Sequence, residues 1–122
     1  MQDSVENFTT PSGDDLLRAM ATLANPHRMR VVAALVRERN YVSQLARQLG
    51  ISRALLQVHL KKLIAAGLVT STLEFSEDGK SMKFYEVTPF AFDITPQSIA
   101  TAAETLTTAD TSRADGEREE DS

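Results

Sequence analysis

Apolar residues recur along this chain with two different periods, and the change from one to the other divides it. Leu16, Met20 and Leu23 fall at i, i+4 and i+7, which predicts a first amphipathic helix over 14–24. Ser12 precedes it, and Asp14 and Asp15 sit in its first turn, where carboxylates face the positive end of the helix dipole. Asn25-Pro26 marks the next start: Asn caps, and Pro at the first helical position gives up an N–H that has no intrahelical partner anyway. The second helix, 26–39, is expected to bury Met29, Val32, Ala33 and Val36, leaving Arg28, Arg30, Arg37 and Arg39 in water. Ser43 is expected to cap a short third helix that ends at Gly50, with Leu45 and Leu49 in the core. Ser52 caps a fourth that runs to Ala66 and stops at Gly67, with Ile51 and Leu56 placed for a hydrophobic staple.

Beyond Gly67 the pattern turns extended. Leu68–Phe75 and Ser81–Val87 are rich in Val, Thr, Leu, Tyr and Phe, and Ser76-Glu77-Asp78-Gly79-Lys80 between them reads as a hairpin loop. Pro89 closes the hairpin, and the alternation of Phe90, Phe92 and Ile94 predicts a further short extended stretch. Thr95-Pro96 repeats the cap-plus-proline start, and Ile99, Ala102, Ala103 and Leu106 form the stripe of a last helix. The expected fold is mainly α with a small β-hairpin wing: four helices, two strands and a fifth helix, in the order of a winged helix-turn-helix.

Composition sharpens this outline. The 122 residues suit one domain with short tails, and no apolar run approaches the roughly 20 residues that span a bilayer. The first fifteen residues lack the basic and apolar parts of a signal peptide. There is no cysteine, which excludes disulfides, thiolate metal sites and cysteine nucleophiles and suits the reducing cytoplasm expected for this chain. The formal charge is −4, but it is unevenly spread. Residues 1–15 and 107–122 each sum to −4, while 16–106 carry eleven Lys and Arg against seven Asp and Glu. The organisation expected is therefore an acidic flexible arm over 1–12, a mildly basic domain over 13–106 and a disordered acidic tail over 107–122.

The chemistry concentrates between Ser43 and Leu63. Ala46 offers a small residue for a helix crossing, Gly50 a residue free to take positive φ, and Leu56 an apolar anchor. The same spacing fits an ordinary helical hairpin, so the fourth helix carries the argument. Leu56, Leu60 and Leu63 share one face. The other presents Ala54, Gln57, Val58, Lys61 and Lys62, with Ser52 and Arg53 at the tip. Arg suits guanine, Gln suits adenine, small apolar groups suit thymine methyls, and Lys suits phosphate. A stripe that packs on a partner protein is the alternative reading of that face. In the hairpin, Lys80 and Lys83 are candidate phosphate or minor-groove contacts, opposed by Glu77 and Asp78, which either stay clear of the backbone or build the turn.

Three segments together resemble the ArsR/SmtB family of winged helix-turn-helix regulators, over about 16–106. They are Ala24-Asn25-Pro26-His27-Arg28-Met29-Arg30-Val31, Leu45-Ala46-Arg47-Gln48-Leu49-Gly50-Ile51-Ser52, and Val58-His59-Leu60-Lys61-Lys62-Leu63 running on through Ala66-Gly67-Leu68-Val69. The resemblance implies a homodimer joined through the first and last helices, hence through Leu16, Met20, Leu23, Ile99, Ala102, Ala103 and Leu106. It also implies double-stranded DNA as partner, an inverted-repeat operator, and base-side contacts from Ser52, Arg53, Ala54, Gln57, Val58 and His59.

Many members of that family sense metals, and here the chain departs from them. Val42-Ser43-Gln44-Leu45 offers no thiolate, and no histidine follows His59. Two scattered histidines do not assemble a borderline-metal site, so no metal and no cofactor is expected. His27 is expected to be exposed in its helix's first turn. No nucleophile–base pair or phosphate-cradling loop points to an enzyme. The expected function is a DNA-binding transcriptional regulator, a repressor, whose input is a small ligand, a sensor protein or its own abundance. The alternative is a winged-helix interaction module, or a DNA-binding subunit controlled by a separate sensor protein.

Overall fold

The structure, a computed structural model, describes residues 11–107. Most of the acidic arm and of the acidic tail therefore lies outside the described residues. Seven elements follow in order: α1 (Gly13–Leu23), α2 (Pro26–Arg37), α3 (Val42–Leu49), α4 (Arg53–Ala65), β1 (Val69–Phe75), β2 (Ser81–Val87) and α5 (Pro96–Ala103). None of the described helices is long and apolar enough to cross a membrane. The described residues divide into two compact units, 19–90 on one hand and 11–18 with 91–107 on the other.

Local signals set the helix starts. Asn25 Oδ1 accepts the N–H groups of His27 and Arg28 (2.9 and 3.2 Å), with Pro26 at the first helical position. Ser52 Oγ accepts from Leu55 N–H (3.0 Å) at the head of α4. Thr95 and Ser98 exchange side-chain-to-backbone bonds of 3.0 and 2.9 Å in a capping box at α5. The third helix departs from expectation. It begins at Val42 with Tyr41 as its cap residue and no side-chain capping bond, so Ser43 lies inside the helix.

Within residues 19–90 the core is built from Val31, Leu35, Leu45, Ala46, Leu56, Leu60, Leu63, Leu68, Val69 and Tyr85. The face of α2 is therefore not the expected one. Val31 and Leu35 point inward, while Met29 and Val36 are 60% and 65% exposed, Ala33 is exposed and Val32 is half-buried. Leu49 is only half-buried. Between α3 and α4, Gly50 takes φ 68°, a left-handed conformation that glycine adopts without the steric cost of a Cβ. Ile51 N–H then reaches back to the Ala46 carbonyl (3.1 Å), turning the chain into α4.

The hairpin pairs antiparallel from Val69 with Val87 to Phe75 with Ser81. A short bridge outside the named strands adds to it. Asn40 and Tyr85 exchange backbone bonds of 3.1 and 2.8 Å, which fasten β2 to the chain between α2 and α3. No strand forms at Phe90–Ile94, where an extended stretch was expected.

In the other unit, the start of α1 meets the end of α5. Gly13 N–H donates to Thr105 Oγ1 (2.6 Å), and Thr107 N–H donates to Asp14 (2.9 Å). A Cβ on Gly13 would stand 2.0 Å from the Ala102 carbonyl oxygen, so only glycine permits this approach. Leu106 lies just past α5 rather than on it.

Candidate nucleic-acid interface

α4 is sided in the way a groove-reading helix requires. Leu56, His59, Leu60 and Leu63 are buried. Ser52, Arg53, Ala54, Gln57, Lys61 and Lys62 are exposed, and Val58 is 49% exposed on the same side. Burial of the leucine face holds the helix against the core, while its outward face carries donors, an amide and an apolar group. Arg53 and Gln57 also line an open cleft of about 470 Å³, shared with Tyr41, Ser43, Lys83 and Tyr85. The first turns of α4 thus border strand β2.

His59 is the exception among the expected contact residues. Its ring is 5% exposed and faces inward, because position 59 falls on the stripe of Leu56, Leu60 and Leu63 rather than opposite it. Its Nδ1 accepts from Arg28 Nε (3.1 Å), and Arg28 Nη1 donates in turn to the Thr22 carbonyl (3.3 Å). Arg28 is consequently half-buried and bonded, not solvated as expected. His27, also half-buried, stacks on His59 with ring centroids 5.4 Å apart. Burial holds His59 below the ordinary histidine pKa of 6.5, and the charges of Arg28 and His27 push the same way.

The hairpin is held at its base by charge and aromatic contacts. Arg39 makes a paired hydrogen bond to Glu74 (2.5 and 3.1 Å), lies 4.2 Å over the Phe84 ring, and Tyr41 meets that ring edge-on. The Arg39 bond lowers the pKa of Glu74 and raises its own. At the tip, Asp78 accepts from Ser76 Oγ and from Lys80 N–H, which lowers its pKa; this acid builds the turn. Lys80 and Lys83 are exposed.

Arg28, Arg39 and Asn40 carry structural roles that sequence reasoning missed. Arg28 had a signal, because its position is three residues before Val31 and seven before Leu35. Arg39 and Asn40 had none, since their partners Glu74 and Tyr85 are remote in sequence.

A helix-turn-helix domain family matches residues 23–72, the segment that contains α2, α3, α4 and the start of the hairpin. An uncharacterised HTH-type transcriptional regulator of Methanocaldococcus jannaschii is 31% identical over 80 residues, covering 66% of this chain and 83% of the relative. The chain belongs to the helix-turn-helix transcriptional regulators. It is a DNA-binding transcriptional regulator. Two solved structures share the fold of this regulator. One is the homodimeric winged helix-turn-helix DNA-binding domain of a candidate ArsR-family regulator from Mycobacterium bovis (TM-score 0.54, 19% identity, 87% of this chain and 83% of that one). The other is the transcriptional repressor BigR of Xylella fastidiosa (TM-score 0.53, 21% identity, 82% and 85%).

Proposed function

We propose that this regulator binds duplex DNA as a homodimer, lays α4 of each copy in the major groove of an inverted-repeat operator, and represses by occupying that operator in the cytoplasm. The observation that carries the reading is the two-sided α4, buried along Leu56, Leu60 and Leu63 and open along Arg53, Gln57 and Lys61. In this reading Ser52, Arg53, Ala54, Gln57 and Val58 approach bases, Lys61 and Lys62 hold phosphates, and Lys80 and Lys83 add contacts from the wing. His59 is left out, since its buried ring has no path to a groove.

The homodimeric M. bovis fold neighbour supports the dimer. On this chain Met20, Ile99 and Ala103 are exposed, and Leu23, Ala102 and Leu106 are half-buried, so all can contribute to a second-copy contact. Leu17, on α1, is exposed too. Leu16 is withdrawn from that surface, because it is already buried within one chain. The repressor named above supports the sign of regulation. With no cysteine in the sequence, the input is not a thiolate-bound metal.

The test is a titration of the protein against duplex from the region upstream of its own gene. The reading expects saturable binding with two protomers per site and a steep loss of affinity as salt rises. Absence of binding at about 50 mM salt, where phosphate contacts are strongest, would overturn it in favour of the interaction module.

A further inference from the structure

The DNA-reading face leaves one feature of α4 unused, the polar ring buried beneath it. His59 is 5% exposed, and Arg28 Nε–H donates to its Nδ1 across 3.1 Å. Nδ1 therefore carries no proton, and the neutral ring holds its proton on Nε2, which is buried with no partner among the described residues. A buried donor left unpaired is destabilising, so the arrangement persists only because the Arg28 bond and the surrounding packing outweigh that cost. Arg28 is itself pinned at its other end on the Thr22 carbonyl, in the last turn of α1. One guanidinium thus joins α1, α2 and α4.

Adding a proton to this ring reverses the contact. The second proton must go to Nδ1, where it meets the Arg28 N–H: two donors face each other, and both carry charge. His27, stacked on the ring from α2, supplies no negative charge, and Lys62 lies three residues along α4 itself. No carboxylate acts on His59 among the described residues. Among the described residues, nothing nearby compensates an imidazolium.

We propose that Arg28 and His59 are positioning residues for the recognition helix, seating α4 on α2 only while the His59 ring is uncharged, so that operator binding fails on acidification. The inference rests on the duplex-reading role proposed above for its output, but the pair itself can be measured without DNA. The sign is fixed by the direction of the shift. The folded protein prefers the neutral ring more than the unfolded chain does. The resulting stabilisation is complete above about pH 6.5, the unfolded value, and is lost as pH falls through the lower folded value.

The experiment has two arms. In the free protein, NMR follows the His59 Cε1–H resonance against pH, in the wild type and in Arg28→Met. The wild-type ring should titrate below about 6.5, and Arg28→Met should move that titration upward by removing the adjacent charge. In the second arm, a duplex selected by the wild-type protein from a random pool at about pH 7.5 is titrated there and at about pH 5.5, at constant salt. His59→Asn keeps an acceptor for Arg28 but cannot charge, and His27→Gln controls for the neighbouring ring. Wild type and His27→Gln should lose about tenfold more affinity than His59→Asn across this interval. Parallel losses in wild type and His59→Asn, or an Arg28→Met titration that does not move, would overturn the proposal. Should His59→Asn fail to fold, the Arg28→Met titration decides the coupling. A wild type that selects no duplex at about pH 7.5 removes the DNA reading and the DNA output proposed here, whereas the NMR arm still rules on the pair.

Discussion

The recognition helix and the wing lie in one compact unit and border one cleft, yet they are built on opposite plans. Helix α4 buries a continuous stripe and sends charge outward, with Arg53, Lys61 and Lys62 and no acid among its thirteen residues. The wing buries little beyond Val69 and Tyr85. From Val69 to Val87 it carries Glu74, Glu77, Asp78 and Glu86 against Lys80 and Lys83. Two of those acids have structural tasks: Glu74 ties the hairpin to Arg39, and Asp78 shapes the tip. A segment of net negative charge is poorly suited to lead an approach to phosphate. Under the proposed duplex-binding role, sequence reading falls to the helix and the wing adds a supporting contact.

Substitutions can break or sharpen that assignment. The largest effect is expected at Leu60, fully enclosed in the core. Leu60→Ala should destabilise the fold by about 2–5 kcal/mol in denaturant unfolding, whereas Phe75→Ala on the wing, at a site 70% exposed, should stay within about 0.5 kcal/mol. Next comes Gln57→Ala, which should cost about 1–3 kcal/mol on the preferred duplex and far less on a mismatched one, read by competition binding. Ser52→Ala removes the cap that holds Leu55 N–H, and its expected cost is about 1 kcal/mol in thermal unfolding. The smallest change is expected for Lys80→Ala, whose effect should be confined to the salt dependence, lowering the slope of log affinity against log salt by about one.

What the sequence made legible follows how far each signal travels. Caps are local, so Asn25, Ser52 and Thr95 can be read from their neighbours. The hairpin follows from Asp78-Gly79 in a loop between two segments rich in strand-forming residues. Helix α2 defeats the same reasoning because it carries two overlapping stripes. Val31 and Leu35 lie on one, and Met29, Val32, Ala33 and Val36 on the other, at helical spacings that both qualify. Only packing against α4 and β2 decides between them. His59 was misplaced for a different reason. A family resemblance put it with Val58 on the groove side, although its spacing of 56, 59, 60 and 63 already marked it as inward. The Asn40–Tyr85 bridge and the Arg39–Glu74 pair join positions at least 35 residues apart, beyond the reach of any local pattern.

The central claim, that α4 and not the wing reads sequence, is tested most directly by selecting duplexes from a random pool with Gln57→Ala and with Lys80→Ala. The account predicts that Gln57→Ala relaxes preference at one base pair in each half-site, while Lys80→Ala keeps the wild-type preference at reduced affinity. A Gln57→Ala protein with the wild-type profile, or a Lys80→Ala protein with a changed one, would contradict it.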